Sequence, residues 1–287
     1  MCIVAIAWQL FDELPLVLLS NRDEFLMRPT EPLHQWTDKP IYAGRDSQSG
    51  GTWLGIHHAR AGQADTNQAQ HNGRWAAVLN FRDGVQARLD ERSRGALVTD
   101  FLSSDVSPMA FARQIDLQAY AGFNLIVGDT QQAVIVNNRG HAPTALHSGL
   151  HVFSNGQFDE AWFKTEKLRG RLRQEVLPLI AENSTADYWQ EAAFTAMSDK
   201  TPAPVDELPE TGVAREIEQS LSSIYIAPIA FENLNRTPNG SSQTLTPTYG
   251  TRTQSILTLS RIKSKDSPSH TARSAANIEL NSRDYQP

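Results

Sequence analysis

Four consecutive stretches decide how this chain folds: Cys2-Ile3-Val4-Ala5-Ile6-Ala7-Trp8, the acidic turn at Asp12-Glu13, Leu16-Val17-Leu18-Leu19, and the polar close Asn21-Arg22-Asp23-Glu24. Both apolar runs are rich in Val, Ile and Leu and have no polar alternate face. That is the pattern of strands buried on both sides of a sheet. Residues 2–9 and 15–20 are therefore expected as a hairpin. Hairpin return brings the end of the second strand beside the start of the first. Asn21-Arg22-Asp23-Glu24 is thus expected next to Cys2, a thiol beside a guanidinium and carboxylates.

Working outward, Met27 to Gly44 is expected as a loop, because Pro29, Pro32 and Pro40 interrupt regular structure. Gly50-Gly51-Thr52-Trp53-Leu54-Gly55-Ile56 gives a turn feeding a strand, and 57–73 a polar surface loop. Trp75 to Phe81 gives another strand, closed by the turn Arg82-Asp83-Gly84. Ser93 to Ser104 carries Leu97, Val98, Phe101 and Leu102 on one helical stripe. Ser107-Pro108 caps a second helix to about Ile115. Phe123–Val127 and Ala133–Val136 form a hairpin through Gly128-Asp129, and His151–Phe153 a short strand. A long helix from Asp159 has Leu168, Leu172, Val176 and Leu179 on one face. Its Lys164, Lys167, Arg169, Arg171 and Arg173 lie mostly off that face, as a solvated side. Residues 185–198 and 213–222 give two more helices, Ile224–Ile229 and Ser255–Leu259 the last strands. Strands and helices in segregated blocks point to α+β, with helices over a largely antiparallel sheet. One domain over 1–262 is expected. From about Lys263 the chain is polar, Ser-rich and aperiodic, so 263–287 is expected as a disordered tail.

The chain has 287 residues, 40% apolar and 20% charged, enough for a substantial core. A net charge of −6 offers no basic field to hold a nucleic acid. The single cysteine excludes an intrachain disulfide and any C-x-x-C site. No run approaches the roughly 18 apolar residues of a spanning helix, and no secretory signal is seen. A soluble cytoplasmic protein without a transmembrane segment is expected. The eight histidines contain no H-E-x-x-H or other ligand spacing, so no metal is expected.

Chemistry centres on Cys2. Loss of Met1 would leave a thiol and an α-amine on one residue. The amine titrates at roughly 7.7–8.0 and can take a proton near neutrality; a thiol titrates at about 8.5, lower beside cations. One residue then holds nucleophile and base. Equally, Cys2 is a small apolar residue starting a buried strand. Arg22 could hold a thiolate or a substrate carboxylate by a forked contact, with Asp23 receiving the α-ammonium; both residues also suit an ordinary strand-end ion pair. Asn80 and Asn155 sit at strand ends, where an amide can stabilise an oxyanion or merely close a turn. Arg252, before the last strand, suits a surface loop as well as a site.

These stretches resemble a known family. Met1-Cys2-Ile3, Asn21-Arg22-Asp23-Glu24-Phe25 and Arg28-Pro29 are similar to the NRDE-motif proteins, the transport and Golgi organisation protein 2 family. Further matches follow in order. They are Trp36, Ala43-Gly44-Arg45-Asp46, Gly51-Thr52-Trp53-Leu54-Gly55, Arg74-Trp75-Ala76-Ala77, Asn80 and Ser93-Arg94-Gly95. After these come Gly122-Phe123-Asn124-Leu125, Ser154-Asn155, Trp162 with Lys164, and Tyr249-Gly250-Thr251-Arg252. The chain departs from the family by extra residues at about Ala59 to Asn72 and by Val78-Leu79-Asn80.

The resemblance implies an N-terminal-nucleophile hydrolase architecture, a four-layer αββα sandwich. It is similar in particular to linear-amide hydrolases of the bile-salt and penicillin V acylase type. On that pattern Cys2, Arg22, Asp23, Asn80, Asn155 and Arg252 take the catalytic roles, with Asn21, Glu24, Trp53 and Tyr249 as motif and pocket residues. Members are also implicated in moving haem and in lipid and secretory-pathway homeostasis. Two functions therefore stand open. One is an amidohydrolase needing no cofactor. The other is a carrier of a hydrophobic ligand such as haem, held without covalent attachment. A fold kept for protein contacts alone is the blander third.

Overall fold

A computed structural model describes residues 2–59, 73–85, 87–230, 247–261 and 276–285. The extra residues between Ala59 and Asn72 lie outside the described residues except for Ala59. The N-terminal hairpin forms as expected, from β1 (Cys2–Trp8) and β2 (Leu16–Phe25), in unbroken register from Cys2↔Arg22 to Trp8↔Leu16. All seven residues of β1 are buried. Their side chains divide by the two-residue period of a strand. Val4, Ile6, Trp8, Leu16 and Leu18 enter a core between two sheets. Ile3, Ala5, Ala7, Val17 and Leu19 enter a second core under helices.

The protein is α+β with two antiparallel sheets. In the first, β10 (Gly149–Phe153), β1, β2 and β12 (Thr248–Arg261) lie side by side. The outer edge of β12 carries β11 (Ile229–Ala230) at one end and β13 (Ala276–Asp284) along the rest. The second sheet is a meander in chain order. Its strands are β3 (Thr30–Gln35), β4 (Ile41–Asp46), β5 (Leu54–His57), β6 (Trp75–Asn80), β7 (Phe123–Gly128), β8 (Ala133–Asn137) and β9 (Thr144–Ala145). Trp8 and Trp75 meet between the sheets, with ring centroids 6.2 Å apart.

Helices α1 (Gly95–Leu102) and α2 (Pro108–Gln114) contribute Leu97, Val98, Phe101, Leu102 and Ala112 to a core on the far face of the second sheet. Ser107 caps α2, accepting from the Ala110 N–H, with Pro108 opening the helix as expected. The first sheet is covered by α3 (Phe163–Arg171), a π-helical turn (Leu172–Val176), α4 (Leu177–Ala181) and α5 (Ala186–Met197). A short α6 (Arg215–Ser220) follows.

Three segments differ from expectation. The proline-broken loop over Met27–Gly44 contains β3 and most of β4. Pro29 and Pro40 precede the strands. Pro32 lies in edge strand β3, at the register shift between Glu31 and His34, where a missing N–H is tolerated. Of Ile224–Ile229, only Ile229 joins a strand. Residues 276–284, inside the stretch expected as a tail, form β13, nine residues paired to β12.

Asn21 ties the layers together. Fully buried, it donates to the carbonyls of Met197 (2.9 Å) and Ile224 (2.8 Å) and accepts from Gln254 Nε2 (3.1 Å). Asn21→Ala orphans these groups, and a buried unpaired polar group costs about 1–3 kcal/mol. The expected loss of stability is about 2–4 kcal/mol by urea denaturation. A loss below about 1 kcal/mol would show that the tie is dispensable.

Candidate functional site

The polar close of β2 divides by strand alternation. Arg22 and Glu24 turn to one side, within 3.7 Å of each other. Asn21 turns to the helices, and Asp23 turns with it, meeting Thr251 across the β2–β12 pair. The motif is therefore half structural tie and half site. Cys2, Arg22, Asp23 and Glu24 all reach one cavity of about 740 Å3, which Trp53, Asn80, Arg82, Arg94 and Tyr249 also line.

Cys2 lies opposite Arg22 by register, and Ser154 Oγ donates to its carbonyl at 3.0 Å. Burial pushes the thiol pKa up, and the Asp23 carboxylate adds to this; the charge of the chain's N-terminal amine, the Asp23 N–H and the Arg22 charge oppose it. Arg22 is itself nearly covered. Its guanidinium donates to Asp46 Oδ2 (3.2 Å) and Thr30 Oγ1 (3.3 Å) and lies 4.2 Å above the Trp53 ring. Asp46 also accepts from Arg28 Nε at 2.5 Å and from the Gln48 and Ser49 N–H groups. Burial alone would raise its pKa, but the bonds from Arg28 and Ser49 outweigh it and hold the carboxyl below the usual range.

Asp23 accepts from Thr251 Oγ1 at 2.6 Å, and Tyr249 OH donates to the Asp23 carbonyl at 2.9 Å. Burial raises the Asp23 pKa, while the charge of the chain's N-terminal amine, then Lys164, the Thr251 bond and Arg82, pull the other way. The Tyr249 ring packs edge-on against Phe25 at 5.2 Å, and burial lifts its hydroxyl well above the usual pKa.

Three of the expected site residues stand off the cavity. Asn21 is the interlayer tie. Asn155 is fully buried behind Asn80, donating from Nδ2 to the Asn80 carbonyl at 2.8 Å. Arg252 occupies the bulge between Thr251 and Thr253. It donates to the carbonyls of Leu26 (3.0 Å) and Arg28, bracing the turn that carries Arg28. Asn80 itself lies half-buried on the cavity wall.

Lys164, Arg82, Glu218, Arg94 and Asp46 carry no expected role in the site from residue type and spacing alone. Lys164, expected on a solvated helix side, is 2% exposed. Its Nζ donates to the Leu221 carbonyl at 3.2 Å. Burial, then the Arg82 charge, pulls its pKa down from 10.5 to about 8, against the opposing pull of Asp23, Cys2 and Glu218. Arg82, expected only as a turn residue, forms a buried ion pair with Glu218 at 2.9 Å and stacks over Trp162 at 4.6 Å. Lys164, Arg94 and Asp46 did stand in matched motifs, which was the available signal. Nothing local marked Arg82 or Glu218. Among the described residues, no three His, Cys, Asp or Glu side chains converge as metal ligands do, and no helix is long and apolar enough to cross a membrane.

A hairpin-borne thiol facing an Arg-Asp pair in a cavity between two sheets is the setting in which relatives become informative. The chain belongs to the TANGO2 family, Transport and Golgi organisation 2, whose family model matches residues 1–266. It is 34% identical over 163 residues to the human Transport and Golgi organization protein 2 homolog, covering 52% of this chain and 53% of that protein. The chain thus matches about half the length of that relative. The mouse homolog is 28% identical over 254 residues, 84% of this chain and 81% of that one. An uncharacterized protein of Saccharomyces cerevisiae is 27% identical over 296 residues, covering 91% and 88%. Among solved structures, the Caenorhabditis elegans N-acylethanolamine-hydrolyzing acid amidase ortholog is similar with a TM-score of 0.45 and 10% identity, over 69% of this chain and 86% of that chain. A likeness of that degree carries no argument about the reaction.

Lys164 makes stability pH-dependent. An unfolded lysine near 10.4 holds its proton more tightly than the folded one near 8. Between these values the unfolded state binds more protons, so stability from this residue rises with pH across the window. Relative to Lys164→Met, the wild type is expected to gain in urea midpoint from about pH 7 to about pH 10. A constant difference would mean an ordinary lysine.

Proposed function

We propose that this protein is an amidohydrolase that cleaves a linear amide, with Cys2 as N-terminal nucleophile after loss of Met1. Under this reading the two sheets and their flanking helices are the αββα sandwich of N-terminal-nucleophile hydrolases. The observation that carries the proposal is the register Cys2↔Arg22, which sets a thiol on a cavity wall with the Asp23 N–H bonded to its sulfur.

The thiol gives its proton to the free α-amine of Cys2, and the sulfur attacks the amide carbonyl. Asn80 donates to the oxyanion, from the wall it already occupies. Asn155 acts through Asn80, whose backbone it fixes. The C–N bond then breaks as the leaving amine takes the proton from the α-ammonium. Water, deprotonated by the same amine, opens the thioester to the acid and free thiol. Asp23 orients the α-ammonium and Arg22 supplies the positive field that favours thiolate. Arg252 positions Arg28 by its turn.

Haem carriage is the alternative. What favours it is a lining that sets Val78, Ile217 and Leu221 beside arginine side chains. Cys2→Ser separates the two. Amide hydrolysis collapses, whereas a haem Soret shift survives the change unless sulfur ligates the iron.

Intact mass of protein from its native host is expected to show Met1 absent and Cys2 rapidly alkylated by iodoacetamide; retention of Met1 would remove the base and sink the hydrolase. In the processed protein, Asn80→Ala is expected to lower kcat by about 10²–10³-fold, the size of a lost oxyanion donor. An unchanged kcat would remove Asn80 from the reaction.

A further inference from the structure

Six arginines line the cavity, and five are already answered. Arg22, Arg28, Arg82, Arg88 and Arg92 each have a carboxylate oxygen at 2.5–3.2 Å. Arg94 does not. Among the described residues its one hydrogen bond is from Nη1 to the Gly122 carbonyl at 3.1 Å, and no carboxylate there comes within ion-pair distance. The acids whose charge it feels most, Glu24 and Glu91, are engaged with other arginines.

The fold holds Arg94 there. It is the residue before α1, and its side chain makes no capping bond. Gly95 behind it packs backbone to backbone on Gly51, where a Cβ on Gly51 would fall 2.7 Å from the Gly95 carbonyl carbon. That contact presses the start of α1 against the turn before Trp53, on the wall shared with Cys2. Burial weighs on the guanidinium and lowers its pKa, with Glu24 and Cys2 opposing and Arg28 adding to the fall. A half-buried cation with donors to spare is suited to an anion from outside the chain. Across the cavity, Val213, Ile217 and Leu221 offer an apolar wall.

We propose that Arg94 is the anion-binding residue of this cavity, and that the amide it accepts joins an apolar acyl group to an acidic group, a carboxylate or a phosphate. This rests on the amidohydrolase reading for the word amide alone; the anion preference is a matter of binding. Arg94 sets specificity and takes no part in bond breaking.

The test is equilibrium binding to the Cys2→Ser protein, which cannot turn substrate over. N-dodecanoylglycine is compared by calorimetry with its neutral twin N-dodecanoylglycinamide, and dodecyl phosphate with dodecanol. At least one acid is expected to bind about tenfold tighter than its neutral twin, the scale of one charge-assisted contact. The larger of the two preferences identifies carboxylate or phosphate. Adding Arg94→Gln should reduce the preference to under about twofold, and Arg94→Lys should restore part of it. Unfolding midpoints of the variants confirm that each is folded. Equal affinity for acid and neutral twin, a preference unmoved by Arg94→Gln, or no binding of any probe would overturn the proposal. Turnover of the same amides by processed wild type reports separately on the hydrolase, so either reading can fail alone.

Discussion

Seven antiparallel residue pairs between β1 and β2 fix where the chemistry lies. A slip of one residue would exchange the faces of every side chain in β1. Cys2 would then turn toward the helices, and Ile3, Ala5 and Ala7 would enter a core shaped for Val4, Ile6 and Trp8. Because both faces of the hairpin are buried, neither exchange is tolerable. The position of the thiol is thus set by packing along the whole of β1, and Arg22 inherits its place from the same register. The bulge at Arg252 shows the complementary device. One extra residue in β12 lets Thr251 meet Asp23 while Thr253 meets Arg22, so the strand can serve both neighbours at the end of the sheet.

The site is costly to hold. Asp23, Lys164, Arg82 and Glu218 are all nearly excluded from solvent, and buried ions rarely stabilise a fold better than apolar residues of similar volume. Their mutual arrangement limits the cost. Arg82 meets Glu218, Lys164 meets a carbonyl, and Thr251 meets Asp23. What these groups provide is a field near Cys2 that water cannot screen. Arg82 also connects that field to α6, since Glu218 adjoins Ile217 and stands three residues before Leu221, both on the cavity wall. The charge cluster and the apolar wall are therefore one construction, joined by a single ion pair.

Much of this was legible in residue order. Both-face apolarity in 2–8 and 16–19 gave the hairpin, and the return of the chain gave the meeting of Cys2 with Arg22. Asn80 falls on the cavity wall, where a strand-end position had suggested it. The misses have physical causes. Prolines at 29, 32 and 40 conceal β3 and β4 because an edge strand needs only half its N–H groups. Lys164 has the look of a solvated residue, since helical periodicity places side chains on a face but does not say what covers that face. Family pattern groups Asn155 and Arg252 with the site, whereas in the structure each touches backbone that carries a cavity residue. Residues 276–284 lack apolar periodicity because β13 covers an edge, with Leu280 alone among its residues deeply buried.

The electrostatics of Cys2 weigh the proposed chemistry most directly. Burial is the largest influence on the thiol and favours the protonated form. Against it stand the charge of the chain's N-terminal amine, one backbone N–H and one arginine already shared with Asp46. By itself that balance leaves a quiet thiol, as a buried strand residue would be. An α-amine on the same residue changes the balance in two ways. As a base it removes the thiol proton over the shortest possible path, and as an ammonium it puts a positive charge beside the sulfur and within the influence of Asp23. Burial is likewise the main cause of the raised Asp23 pKa, and the chain's N-terminal amine, Lys164 and Arg82 offset it in part. The pocket in this reading is incomplete until its nucleophile is also its N-terminus, which makes the trimming of one residue the step that turns a core cysteine into a reagent.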